Sequence, residues 1–90
     1  MKNYGYEFDF YGDMFAVVGN RESLSGILDV YIDGVHTATI DPYQQTTARF
    51  QKIYISERLT LGNHHVKVIG SGTKNALSEG YNIQLDYIET

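Results

Sequence analysis

Residues 27–40 read ILDVYIDGVHTATI, two β-branched, apolar-rich runs on either side of the pair Asp33-Gly34. An Asp-Gly pair between such runs is the strongest short-range signal for a two-residue hairpin, because the favoured turn needs positive φ at both of its central positions. The stretch therefore predicts two antiparallel strands over residues 27–32 and 35–40. Upstream, Tyr4, Tyr6, Phe8 and Phe10 alternate with Gly5, Glu7 and Asp9, the period of two of a strand with one wet face. Residues 14–18 form a continuous apolar run ending at Gly19, as expected of a strand buried on both faces. Downstream, strands are expected at residues 50–56, 64–69 and 81–87, the last from the alternation of Tyr81, Ile83, Leu85 and Tyr87 with Asn82, Gln84 and Asp86.

No window of ten residues sustains an apolar stripe at helical spacing, and seven short strands separated by turns predict an all-β, antiparallel β-sandwich or jelly roll. The composition agrees: eight Tyr, four Phe and nine Gly suit pleated strands and tight turns. With 90 residues, the chain is long enough for one core, so residues 1–90 are read as a single domain. A net charge of -4 disfavours binding to nucleic acid or an anionic membrane, both of which present phosphate that a basic patch would have to neutralise. The absence of cysteine removes disulfide, thiol and thiolate chemistry. Residues 1–10 carry one Lys and no continuous apolar run, so no signal peptide is expected there.

The three longest loops, near residues 20–26, 41–49 and 70–80, are where a rigid sandwich carries binding residues. Tyr43 stands beside Asp41, Gln44, Gln45 and Arg49; Lys74, Asn75 and Glu79 lie in the last loop, and Asn20, Arg21 and Glu22 in the first. Such sets suit a sugar, whose apolar face lies on an aromatic ring while amide, guanidinium and carboxylate groups take its hydroxyls. The alternative is that Tyr43 caps the core and the others are solvated. His64 shares a face with Val66 and Val68 and reads as a packed histidine, while His65 and His36 read as exposed strand residues. His64 and His65 point to opposite faces and cannot easily share a metal. No serine, histidine and carboxylate stand out as a catalytic set, so no enzyme is expected.

Seven segments in order carry a resemblance: Phe8 to Phe10 with Gly12, Val17 to Gly19, DVYIDG at residues 29–34, Thr39 to Tyr43, LGNHHVKV at 61–68, GTKN at 72–75, and Leu85 to Tyr87. Together they resemble the galactose-binding-like jelly-roll domains, the non-catalytic carbohydrate-binding modules found beside bacterial glycoside hydrolases, on cell-surface proteins and in phage tail proteins. The resemblance covers nearly the whole chain and is more specific for fold than for ligand. It implies a glycan partner and a place outside the cell or on a virion surface as part of a larger protein; the loop residues Tyr43, Asp41, Arg49, Lys74, Asn75 and Glu79 are the ligand-binding candidates, although Asp41, Tyr43 and the GTKN segment recur in such domains partly for reasons of fold. It also implies Asp86 as the first candidate ligand of a structural calcium ion.

Such relatives have further strands before the one matching Tyr4 to Phe10, where this chain begins. An edge strand at Tyr4 to Phe10 would invite a homo-oligomer. The alternative function is accordingly a structural or assembly domain of a phage tail or cell-surface protein.

Overall fold

Asp33 and Gly34 adopt φ of 52° and 82° in the computed structural model, the two positive values that a type I′ turn demands. The model describes residues 5–83 and 85–90. The turn joins β3 (Leu28–Ile32) to β4 (Val35–Ile40) in the register expected of the hairpin, with one irregularity between Val30 and Tyr31. The remaining strands are β1 (Gly5–Gly12), β2 (Ala16–Arg21), β5 (Ala48–Ile55), β6 (Gly62–Gly70) and β7 (Leu85–Glu89). They form two antiparallel sheets ordered β1-β6-β3-β4 and β5-β2-β7, so the expected all-β, two-sheet architecture is present.

Alternation puts the apolar residues between the sheets. Leu28, Val30 and Ile32 from β3, Val66 and Val68 from β6, Phe15 and Val17 near β2, Ile40 and Ile53 make the core. Phe8 and Phe10 of β1 close it at one side, with ring centroids 5.9 and 5.7 Å from Phe15 at edge-on angles that suit aromatic quadrupoles. In the second sheet, β2 is central and Ala16 and Val18, on the face away from the core, are buried too. The Lys52–Glu89 pair, 3.2 Å apart, joins the strands on either side of β2, which explains why a continuous apolar run suits this strand.

Among the strand bounds that differ from the sequence reading, three bear on the loops. Gly19 does not end β2: it stays paired with Gln51 and Leu85 at register irregularities on both sides, and the strand runs on to Arg21. The strand expected at residues 50–56 starts earlier, at Ala48, so Arg49 sits on a strand and not in a loop. The last strand begins only at Leu85, because Asn82 is taken by the first loop instead, bridging Ser25 and donating its N–H to Leu24 O at 2.8 Å. Tyr4 and Gln84, both assigned to strands from the sequence, lie outside the described residues.

The turn is tied to β6 by charge. Asp33 N–H donates to His65 O at 2.7 Å, while its carboxylate accepts from His65 N–H at 2.8 Å and from His64 Nδ1 at 2.7 Å. His64 Nε2 donates to Thr60 O at 2.6 Å, so both ring nitrogens act as donors and the ring carries a proton on each. Its side chain, 12% exposed, packs on Phe10 as a strand-end histidine should. The Asp33 carboxylate and the Thr60 carbonyl raise the His64 pKa, and the same contact lowers that of Asp33.

The sign of the pH dependence follows. His64 contributes stability that is complete below its unfolded value near 6.5 and is lost as pH rises through its raised folded pKa. Asp33 contributes stability that is present above 3.8 and is lost as pH falls through its lowered folded pKa. Urea unfolding at a series of pH values should show stability declining on both sides of this window, and His64→Gln should shrink the alkaline decline. Gly34→Ala should cost about 1 kcal/mol by forcing a Cβ into positive φ. Leu28→Ala should cost about 2–5 kcal/mol by leaving a cavity.

Candidate functional site

The three long connections meet at one end of the sandwich, opposite the Asp33-Gly34 turn, because β2, β4 and β6 all run towards that end and hand the chain to it. Their backbones are hydrogen-bonded to one another. Ile27 N–H donates to Thr73 O and Ser71 N–H to Ile27 O, at 2.9 and 2.8 Å. Gln44 N–H reaches Glu22 O at 3.2 Å, beside a parallel bridge between Glu22 and Tyr43. Glu79 N–H donates to Ser23 O at 2.8 Å, and Gly26 N–H to Asn82 O at 2.9 Å. A Cβ on Gly26 would stand 3.0 Å from Tyr81 O, so this crossing needs glycine.

Ser78 sits at the centre of the cluster. Its buried hydroxyl donates to Ser25 O at 2.7 Å, with the carbonyls of Ser23 and Gly80 at 3.1 and 3.0 Å, and it accepts from Gly80 N–H at 3.3 Å. One hydroxyl thus satisfies backbone from two loops.

Among the residues singled out from the sequence, Asp41 and Asn75 are brought together, with Asn75 Nδ2 donating to Asp41 Oδ2 at 2.8 Å. The other Asp41 oxygen accepts Tyr43 N–H at 3.2 Å, and Asn75 Oδ1 accepts Leu77 N–H at 2.9 Å. Both side chains therefore hold loop conformation through short Asx-type turns and a cross-loop bond. Tyr43 is half-buried next to Glu22. Lys74 is half-buried and Glu79 exposed in the third connection, while Arg49 is exposed near the start of β5. Among the described residues these three enter no ion pair.

Asp86 is exposed on β7, and no group of three or more His, Asp or Glu placed to hold a metal ion occurs among the described residues.

Two features escaped the sequence reading. Among the described residues Glu22 Oε1 is buried without a hydrogen-bond partner, and the Glu22 backbone bridges that of Tyr43; a glutamate in a polar loop gives no sign of this. Phe50 has φ of 57° and is 68% exposed, with its N–H donating to Asn20 Oδ1 at 3.4 Å. A bulky side chain in the left-handed region is a backbone outlier, here at the register irregularity between Gly19 and Arg21. Periodicity treats Phe50 as an ordinary strand residue, because a bulge leaves no trace in a hydrophobic pattern.

The histidines behave differently from one another. His36 is exposed, as expected, and its Nε2 meets Asp29 Oδ1 at 3.1 Å. His65 is 43% exposed but engaged, its Nδ1 and Nε2 each 2.6 Å from a carboxylate, Asp9 and Glu7 respectively. Those contacts, Asp9 first, raise its pKa. One groove, lined by Tyr6, Phe8, Phe10, Ile88 and Thr90, runs between the edge strands β1 and β7, and a smaller one is lined by Gly5, Tyr6, Ile83 and Leu85.

A scan against protein-family models and a search of curated proteins return no match to this chain.

The hub role of Ser78 makes a specific prediction. Ser78→Ala should lower unfolding stability by about 1–3 kcal/mol, since it leaves the buried Ser25 O without its donor. Exposed Glu79→Ala should change it by less than about 0.5 kcal/mol. Chemical denaturation of the two variants provides the comparison.

Proposed function

We propose that this chain is a non-catalytic carbohydrate-binding module of galactose-binding-like, jelly-roll type that attaches a larger bacterial or phage protein to glycans at a cell or virion surface. The observation that carries the reading is the half-buried Tyr43 where the three loops converge, with Asp41 bonded to its N–H and Asn75 bonded in turn to Asp41. The apolar face of a sugar ring rests on a tyrosine of this kind while polar loop groups take its hydroxyls. Asp41 and Asn75 fix the loops, and Arg49, Lys74 and Glu79 offer polar groups from β5 and the third loop. The alternation of successive strands between the two sheets, broken only by the β3-β4 hairpin, supports a jelly-roll path. A single shallow site of this sort binds weakly, and repeated copies on a parent protein supply avidity.

A second reading, an assembly domain in a phage tail or surface protein, is favoured by one observation. β1 is a sheet edge, paired only with β6, and it borders the groove shared with β7. Glu7 and Asp9 on that edge oppose self-pairing, because like charges would face each other across a β1–β1 contact.

A glycan array at high protein concentration, with light scattering on the same sample, separates the two. Glycan binding predicts a specific hit that Tyr43→Ala weakens at least about tenfold, ~1.4 kcal/mol, without loss of fold. A blank array from a stable oligomer would overturn it in favour of assembly.

A further inference from the structure

The outer face of the four-stranded sheet carries a cluster that the loop site does not use. His65, on β6, stands between Asp9 and Glu7, both on the edge strand β1, with each ring nitrogen 2.6 Å from a carboxylate oxygen. Asp9 is its register partner, whereas Glu7 reaches diagonally past its own partner, Lys67. A carboxylate only accepts hydrogen bonds at neutral pH, and a neutral imidazole has one donor and one lone pair. Both contacts are satisfied only by the imidazolium. Loss of a proton turns a lone pair towards one carboxylate and leaves two acids facing each other on the same edge.

We propose that His65 is a proton-operated clasp that holds the edge strand β1 on the sheet, and so controls access to the groove between β1 and β7. The rest of β1's attachment is the ladder to β6, the packing of Phe8 and Phe10, and the Tyr6 hydroxyl, which donates to Leu85 O at 2.6 Å. Among the described residues the other ionisable groups on this face are Tyr11 along β1, Lys67 along β6, Tyr31, Asp29 and the turn residue Asp33 on the β3 side, and His36 on β4, which Asp29 already engages. Asp33 is occupied by His64 and by the His65 backbone N–H, so the two charges competing for the His65 ring are those of β1.

With the folded pKa raised, the clasp is closed below the unfolded value near 6.5 and opens as pH rises through the folded value. The direction is opposite to that of a carboxylate pair.

The test is amide hydrogen exchange of the full chain across pH 5.5 to 9, corrected for intrinsic exchange rates. Protection of the hydrogen-bonded β1 amides should fall through one titration step, by about tenfold for each pKa unit that the fold adds to His65, while β3 amides keep theirs. His65→Gln should give low β1 protection without a step, and His65→Lys, charged throughout, should abolish the step. In parallel, the His65 ring pKa followed by NMR should return towards its ordinary value in the Glu7→Gln, Asp9→Asn variant, a readout that does not depend on the histidine variants folding. Flat β1 protection in the wild type, or a step that survives His65→Gln, would overturn the clasp.

Discussion

The carboxylate of Asp33 fixes more of this structure than any other single group. It sits in a turn whose backbone is left-handed at two successive residues, and it accepts hydrogen bonds from the backbone and the ring of adjacent residues on the neighbouring strand. That locks the β3-β4 hairpin to β6 at one register. Because successive strand residues face opposite sides, the dipeptide His64-His65 serves two neighbours at once. His64 turns inward to Phe10 and Asp33, and His65 turns outward to the two acids of β1. A one-residue slip of β6 would place each imidazole on the wrong face and bring Val66 and Val68 out of the core.

The two ends of the sandwich are held by different physics. At the turn end, ionised hydrogen bonds and the aromatic group of Phe8, Phe10 and Phe15 set the geometry. At the loop end, beyond the buried Leu28 and Ile40, neutral hydrogen bonds among three connections, centred on the Ser78 hydroxyl, set the geometry. A scaffold fixed at one end and laced with backbone bonds at the other holds Tyr43 in a defined place, the preorganisation that the proposed weak site needs.

Much of the fold is legible in the sequence, and for local reasons. Asp33-Gly34 states its own turn type, and the alternation of Tyr6, Phe8 and Phe10 or of Val66 and Val68 states a face. The misplaced boundaries arise where a distant segment outbids the local pattern. Tyr81 and Ile83 alternate correctly with their neighbours, yet Asn82 pairs with the first loop, and Gly19 continues a strand because β5 and β7 both accept it. The site was legible only as a list of loops. That Asp41 would meet Asn75, that Glu22 would be buried, and that Phe50 would stand out at a bulge are all consequences of tertiary approach. His65 was read as merely exposed, because its partners lie more than fifty residues away, on β1.

The most direct measurement of the central claim is a double-mutant cycle on Asp33 and His64, using Asp33→Asn to keep a residue that tolerates positive φ and His64→Gln to keep a polar side chain, with stability read by urea unfolding at pH 6. The account predicts strong non-additivity: once either partner is lost, removing the other costs little. Additive effects would mean that the contact between the turn and β6 carries no coupling, and would contradict the assignment of Asp33 as the group that sets the register of the sheet.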